Sequence, residues 1–486
     1  MPNDINTTED LISVNTIADP MPSKRGDGLH RVMPWWRNFL AGSQNRRIFG
    51  ALITISTLTV GVKVVSMLKE MVAAAWFGRG DGMDAFVIAF TVPSFIINVI
   101  AGSFNAALIP VHIDVRQNKG PAAAQRLFSS TVALSLVLLL VMTLCLALLG
   151  PAMLPFIGSG FGGEKILVTQ RLFYLLLPAI AISGLITNWE SALNASERFG
   201  IPAMAPAMLP LGTIAVLVLF GPYWGIDALA IGTIAGLVLN ICVLGWALRK
   251  RGINLLPRWY GWTPEMKRVL NQYIPLVGAA VMMCSTYLVD QAMASLLPAG
   301  SVAALNYGNK LPALVLTAGT MALGTAVLPY FSKMVAASDW KGLRHTLMTY
   351  SRLILLVTIP ATLVGVWLST PLVRLLFQRG RFTADDVQIV SSVQAMYLLQ
   401  VPFYTLGILL VRMISSLQAN RVLLWNTVVG LTVNIVLDYV LMRVMGVAGI
   451  ALSRSVVYIA SCSVLAVVLY RKLKTVDQMS VSATCR

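Results

Sequence analysis

Apolar residues fill the chain in long runs, separated by short clusters of Pro, Gly and charged positions. A window of about 19 residues, the length that crosses a hydrocarbon core of about 30 Å, predicts twelve helices. They run over 48–69, 84–110, 127–149, 172–193, 203–221, 226–248, 270–297, 301–329, 347–370, 388–413, 422–442 and 447–470. Polar positions inside these runs follow a helical period of about 100° per residue. In the first helix Ser56, Thr59, Lys63, Ser66 and Glu70 share one sector; in the second Asp84, Thr91, Asn98 and Asn105 form a seven-residue stripe; in the eighth Asn306, Lys310 and Thr317 share a face. Polar faces on several membrane helices imply a hydrated cavity. Lysines on two of them imply an anionic occupant.

Sequence landmarks recur at an offset of about 220 residues, as a duplicated helical unit requires. Ala106-Ala107-Leu108-Ile109-Pro110 matches Thr325-Ala326-Val327-Leu328-Pro329, and Pro151 and Gly160 match Pro371 and Gly380. Leu193-Asn194-Ala195 matches Leu417-Gln418-Ala419, and the run from Gly225 to Ala230 matches that from Gly446 to Ala451. A unit of six helices returns to the side it started from, so both copies enter the membrane from the same side. The expected fold is an all-α polytopic membrane protein of two parallel six-helix halves around a central cavity, a transporter plan. Its expected divisions are a disordered or interfacial segment 1–47, a first half 48–248, a linker 249–269, a second half 270–470 and a tail 471–486.

Composition narrows the class. With 57% hydrophobic and 12% charged residues and a mean hydropathy of +0.75, the chain has too few charges to cover a soluble surface. The net charge of +17 raises the question of nucleic acid, which the placement of the cations answers. With the N-terminus inside, 23 Lys and Arg fall in cytoplasmic segments; the other side holds only Arg79, Lys165, Arg171, Arg374, Arg379, Arg381 and Arg443. That asymmetry is the positive-inside pattern and places both termini in the cytoplasm. Residues 1–47 contain no apolar h-region of a cleavable signal, and Trp35, Trp36, Arg37, Arg46 and Arg47 read as an interfacial collar. The five cysteines show neither CxxC nor Cys/His metal spacing, so neither disulfides nor a metal cluster is expected.

The candidate chemistry lies in the intramembrane charges. Lys63 and Lys310 have no sequence-local carboxylate, and a lysine facing lipid costs about 2.5–3.5 kcal/mol on insertion scales; both therefore point to a substrate path. Lys69 is adjacent to Glu70 near a helix end, where a local charge balance with a snorkelling side chain competes with a binding role. Asp84 lies near a helix start, where capping competes, and the Ser, Thr and Asn stripes also suit hydrogen bonds between helices. In the second half Asn434 and Asp438 share a face with Thr427, and Asp290 follows Thr286 by one turn. Their oxygens suit Na⁺ or a proton relay. Arg454 offers the other outcome, a structural salt bridge, and both readings remain open.

Several runs resemble a known family. Asp84-Ala85-Phe86 with Ala89-Phe90 and Pro93, followed by Ser103-Phe104-Asn105-Ala106-Ala107-Leu108-Ile109-Pro110-Val111, is similar to the second-helix signature of the MurJ/MviN lipid II flippases, members of the multidrug/oligosaccharidyl-lipid/polysaccharide exporter superfamily. Leu193-Asn194-Ala195, Arg198-Phe199, Pro202-Ala203 and Pro206, then Leu328-Pro329 with Ser332-Lys333, and Phe377-Gln378-Arg379-Gly380-Arg381-Phe382 resemble further family signatures in the same order. The resemblance covers about 48–470. It implies a non-enzymatic transporter of the bacterial inner membrane that flips an undecaprenyl-diphosphate-linked saccharide by alternating access during peptidoglycan and cell-wall biogenesis. Lys63, Lys69 and Lys310 stand where the family has headgroup-binding arginines, Asp84 matches an acidic residue, and Asn98 falls where the family has a further arginine. Asp290, Asn434 and Asp438 resemble sodium-site ligands, so Na⁺ or H⁺ coupling is implied and no other cofactor. Expected partners are the lipid-linked saccharide, membrane lipids and the enzymes of cell-envelope synthesis. An exopolysaccharide or O-antigen repeat unit is the alternative cargo, and a drug or metabolite antiporter the alternative class.

Overall fold

The computed structural model describes residues 43–195, 200–250, 258–417 and 419–484; the expected collar at Trp35, Trp36 and Arg37 lies outside the described residues. By its internal contacts the chain falls into Met1–Ile53, of which the opening turns of the first helix are described, and Thr54–Arg486, which holds everything else. The long helices are α1 Ser43–Phe77, α2 Asp81–Lys119, α3 Pro121–Ile157, α4 Gly163–Asn194, α5 Gly200–Trp224, α6 Asp227–Arg249, α7 Pro264–Ser295, α8 Ser301–Ala336, α9 Trp340–Trp367, α10 Ala384–Ser416, α11 Arg421–Met445 and α12 Val447–Lys474. Each coincides with an expected span. Ten are long and apolar enough to cross a membrane; the side chains of α1 and α8, helices of 35 and 36 residues, are described only in part.

Three details go beyond the expected spans. The helix Ser369–Phe377 between α9 and α10 has 9 residues and escapes a membrane-length window. The α7 helix starts at Pro264, before the expected 270, because the Thr263 hydroxyl accepts from the Met266 N–H at 3.2 Å and Pro264 occupies the first turn, where its missing N–H is harmless. Helical structure also continues past α12 to Thr484, through the segment expected as a tail.

The repeat is visible in backbone geometry. Gly225 ends α5 with φ 54° and ψ −131°, and Gly446 ends α11 with φ 60° and ψ −138°, a conformation that a Cβ makes costly. The fourth helix of each half is also interrupted at matching places, α4 at Leu177 before Pro178 and α10 at Leu399 and Gln400 before Pro402. Each proline withdraws a backbone donor from the helix ladder.

Small residues let the helices approach closely within each half. In the α5–α6 pair a Cβ on Gly236 would lie 2.3 Å from the Leu209 carbonyl oxygen, and one on Gly212 would lie 2.5 Å from Gly236 Cα. A continuous buried core includes Phe104, Phe173, Tyr307 and Phe377 from both halves, and a second cluster around Phe331, Leu343, Leu409 and Met413 fills the second half. Phe156, Leu356 and Trp367 are exposed, as a lipid-facing surface requires. The halves meet where α2 packs on α7 and α8. Below, the side on which α1 begins is the near side, and the side on which it ends is the far side.

Candidate functional site

Between the halves lies a cavity of about 450 Å³ lined by α1, α2, α5, α6, α7 and α8. Its apolar wall comes from Phe86, Phe90, Phe95 and Met283, and its polar groups include Lys69, Glu70, Asn98, Tyr287, Asn306 and Lys310. Lys69 and Lys310, one from each half, converge on one atom: Lys69 Nζ lies 2.7 Å and Lys310 Nζ 2.9 Å from Glu70 Oε1. Glu70 is 9% exposed and Lys310 30%, so the carboxylate is sealed while the Lys310 ammonium still reaches the cavity. Two ammonium groups against one carboxylate leave a positive excess. An anion entering here meets uncompensated charge in a low-dielectric wall, where it counts for more than in water.

Not every expected site residue lines this cavity. Lys63 is half-buried, stands two turns nearer the near side on the Glu70 face, and has no hydrogen bond or ion pair among the described residues. It acts on Lys310 through space. Asn98 does line the cavity and donates to the Ser94 carbonyl oxygen at 2.8 Å. The seven-residue stripe of α2 ends there, because residues Ile97–Ala101 form a π-helical turn, and the extra residue in that turn rotates everything after it. Asn105 consequently faces α4, where its side-chain oxygen accepts from Ser191 Oγ at 2.7 Å. Thr317, from the α8 stripe, lines a different cavity.

Asp84 requires a correction. It is 1% exposed and does not line the cavity. Its carboxylate accepts from the backbone N–H groups of Gly300 and Ala303, each at 2.7 Å, and from Lys165 Nζ at 2.7 Å. Asp84 therefore caps a helix, but the helix is α8 of the other half rather than its own. Other ties between the halves gather at the same far end. Arg79 Nε donates to Asp386 Oδ1 at 3.0 Å, Ser295 Oγ to the Ile157 carbonyl at 2.8 Å, and the Arg381 N–H to the Ala75 carbonyl at 2.9 Å. Asp386 also forms a capping box with Thr383 at the start of α10. Lys165, Arg79 and Asp386 were not singled out by periodicity, since each finds its partner far along the chain.

The second constellation comes together in space with a cation already inside it. The side chains of Asn434 and Asp438 lie against Asp290, and Arg454 Nη2 is 2.6 Å from Asp290 Oδ2. Asp290, Asn434 and Asp438 are at most 1% exposed. Among the described residues no donor makes a well-formed hydrogen bond to either carboxylate. A sodium ion here would share Asp290 with the Arg454 guanidinium, which already lies against one of its oxygens. Among the described residues no group of three His, Cys, Asp or Glu could hold a metal ion.

The family model described as lipid II flippase MurJ matches residues 73–486. The chain belongs to the MurJ lipid II flippase family. A lipid II flippase MurJ of Burkholderia cenocepacia is 28% identical over 423 residues, 84% of this chain and 80% of the relative. A probable lipid II flippase MurJ of Rhizobium tropici is 28% identical over 432 residues, 86% of this chain and 80% of the relative. Among solved structures, a lipid II flippase MurJ in an inward closed conformation aligns with TM-score 0.73 at 20% identity, covering 88% of this chain and 91% of that one. An inward-facing multidrug resistance MATE family transporter aligns with TM-score 0.70 at 13% identity, covering 87% and 99%. These likenesses support the two-half MurJ fold, and the MATE likeness extends to the fold alone.

Proposed function

We propose that this MurJ family member carries lipid II, an undecaprenyl-diphosphate-linked peptidoglycan precursor, across the bacterial cytoplasmic membrane by alternating access. The observation that carries the reading is the convergence of Lys69 and Lys310, from opposite halves, on one carboxylate in the cavity between them. A diphosphate competes with Glu70 for both ammonium groups and brings more negative charge, so its binding draws the halves together from inside. Lysine grips phosphate as a point charge, without the planar fork of arginine, which suits a cargo that must be released. Moving the cargo outward then requires the far-side ties at Asp84, Arg79 and Ser295 to open. The distribution of cations supports a cytoplasmic near side with both termini there. On that side the enzymes that assemble the lipid precursor are the natural partners.

The positive cavity opposes the cationic cargo of a drug antiporter, and family membership favours lipid II over an exopolysaccharide repeat. For coupling, Asp290 and Asp438 carry two carboxylates against one guanidinium. That leaves one negative charge, which a proton neutralises while Arg454 takes the place beside Asp290 that Na⁺ would need. The test is translocation by purified protein in proteoliposomes supplied with lipid II or with a lipid-linked neutral polysaccharide repeat. Movement of lipid II supports the reading; movement of the neutral repeat alone overturns it.

A further inference from the structure

We infer that the second half holds a separate subsite for the uncharged saccharide of the cargo, formed by Asn309, Thr317, Gln400, Tyr404 and Tyr458 around Arg454. The inference rests on the flippase reading above and adds where the sugar sits. These residues line a cavity of about 440 Å³ between α8, α10 and α12, within the range of about 300–1,000 Å³ common for small-molecule sites. Its chemistry differs from that of the lysine cavity. Two amides, the hydroxyls of Thr317 and Thr320 and two phenols supply donors and acceptors, and the rings of Tyr404 and Tyr458 meet edge to face at 5.1 Å. Gln400 is 1% exposed, and its side-chain carbonyl oxygen has no donor among the described residues. A buried acceptor left in that state is costly, and a ligand hydroxyl or amide N–H would satisfy it. Thr317 Oγ1 donates to the Ala313 carbonyl at 2.7 Å, which leaves its own lone pairs for a ligand donor.

Charge decides the ligand class. Arg454, the only formal charge lining the cavity among the described residues, is already engaged by Asp290, with Asp438 behind it. The group carries no positive excess, so it does not recruit a second anion. A neutral, hydroxyl- and amide-rich sugar fits. The reach is also suitable: Thr317 lies two turns beyond Lys310 on the same face of α8, about 10 Å away at about 1.5 Å per residue. A sugar ester-linked to a diphosphate at Lys310 would extend to it.

The experiment compares full-length protein in lipid nanodiscs for binding of undecaprenyl diphosphate, which has no sugar, and of lipid II. Wild type should bind lipid II at least about tenfold more tightly. Thr317→Val with Tyr404→Phe should cut that ratio about tenfold, as lost buried hydrogen bonds do, with undecaprenyl diphosphate affinity unchanged. An unchanged ratio in a variant of wild-type thermal midpoint overturns the subsite and leaves the flippase reading intact. Wild type that binds neither lipid overturns both. A second readout needs no variant: lipid II with a photoreactive group on its sugar should label peptides of α8, α10 and α12, and labelling confined to α1 and α2 overturns the assignment.

Discussion

The protein builds two charge clusters, each of three charged side chains, and gives them opposite balances. At the centre Lys69 and Lys310 flank Glu70, leaving an excess of positive charge that reaches a cavity. In the second half Arg454 faces Asp290 and Asp438, leaving an excess of negative charge sealed from solvent. Both tie separate helices together, but only the first bridges the two halves. An open, positively biased cluster can exchange its internal carboxylate for a ligand anion. A cluster whose buried carboxylates face their own guanidinium offers no such exchange to a ligand anion, and it holds α7 to α12.

The largest effect should come from breaking the sealed cluster. Arg454→Gln strands two buried carboxylates, and removal of one partner from a buried pair typically costs about 3–5 kcal/mol. The thermal midpoint of purified protein should fall sharply, and Asp290→Asn in the same chain should restore much of the loss. An unchanged midpoint would mean that the cluster is hydrated and open, like the first.

The same kind of change at the open cluster should spare stability and remove binding. Lys310→Gln takes away one charge-assisted contact, worth about 1.5–3 kcal/mol, so undecaprenyl diphosphate affinity should fall about 10- to 100-fold by titration in nanodiscs. Lys63→Gln should matter far less. Lys63 stands about 10 Å along α1 from Glu70 with no direct partner among the described residues, and Coulomb's law in a water-like medium gives about 0.4 kcal/mol at that range, roughly twofold in affinity. The smallest effect is expected from replacing Na⁺ by K⁺ in the transport buffer. Rates should stay the same, and a loss of transport without Na⁺ would contradict the place given to Arg454.

Hydropathy and periodicity were enough to read the helices, the two halves and the existence of a polar cavity, because these depend on local runs and on a period of 3.6 residues. The partners of the charges were not readable that way. Glu70 reaches Lys310 on another helix, Asp84 reaches the N-terminus of α8, and Arg79 reaches Asp386, a separation of 307 residues. No local pattern encodes such pairs. The α2 stripe failed for a different reason: one π-helical turn at Ile97–Ala101 resets the register that the seven-residue spacing assumed. Arg454 is visible in the sequence as a competitor for the ion site, and it lies 2.6 Å from Asp290.

The central claim is that lysines from opposite halves jointly hold the diphosphate of the cargo. Its most direct test is lipid II translocation in proteoliposomes by wild type, by the Lys69→Gln/Lys310→Gln double variant and by the charge-preserving Lys69→Arg/Lys310→Arg variant, each with its thermal midpoint measured. The account predicts that the glutamine pair loses translocation while keeping its fold and that the arginine pair retains it. Wild-type translocation by the folded glutamine pair would contradict the account.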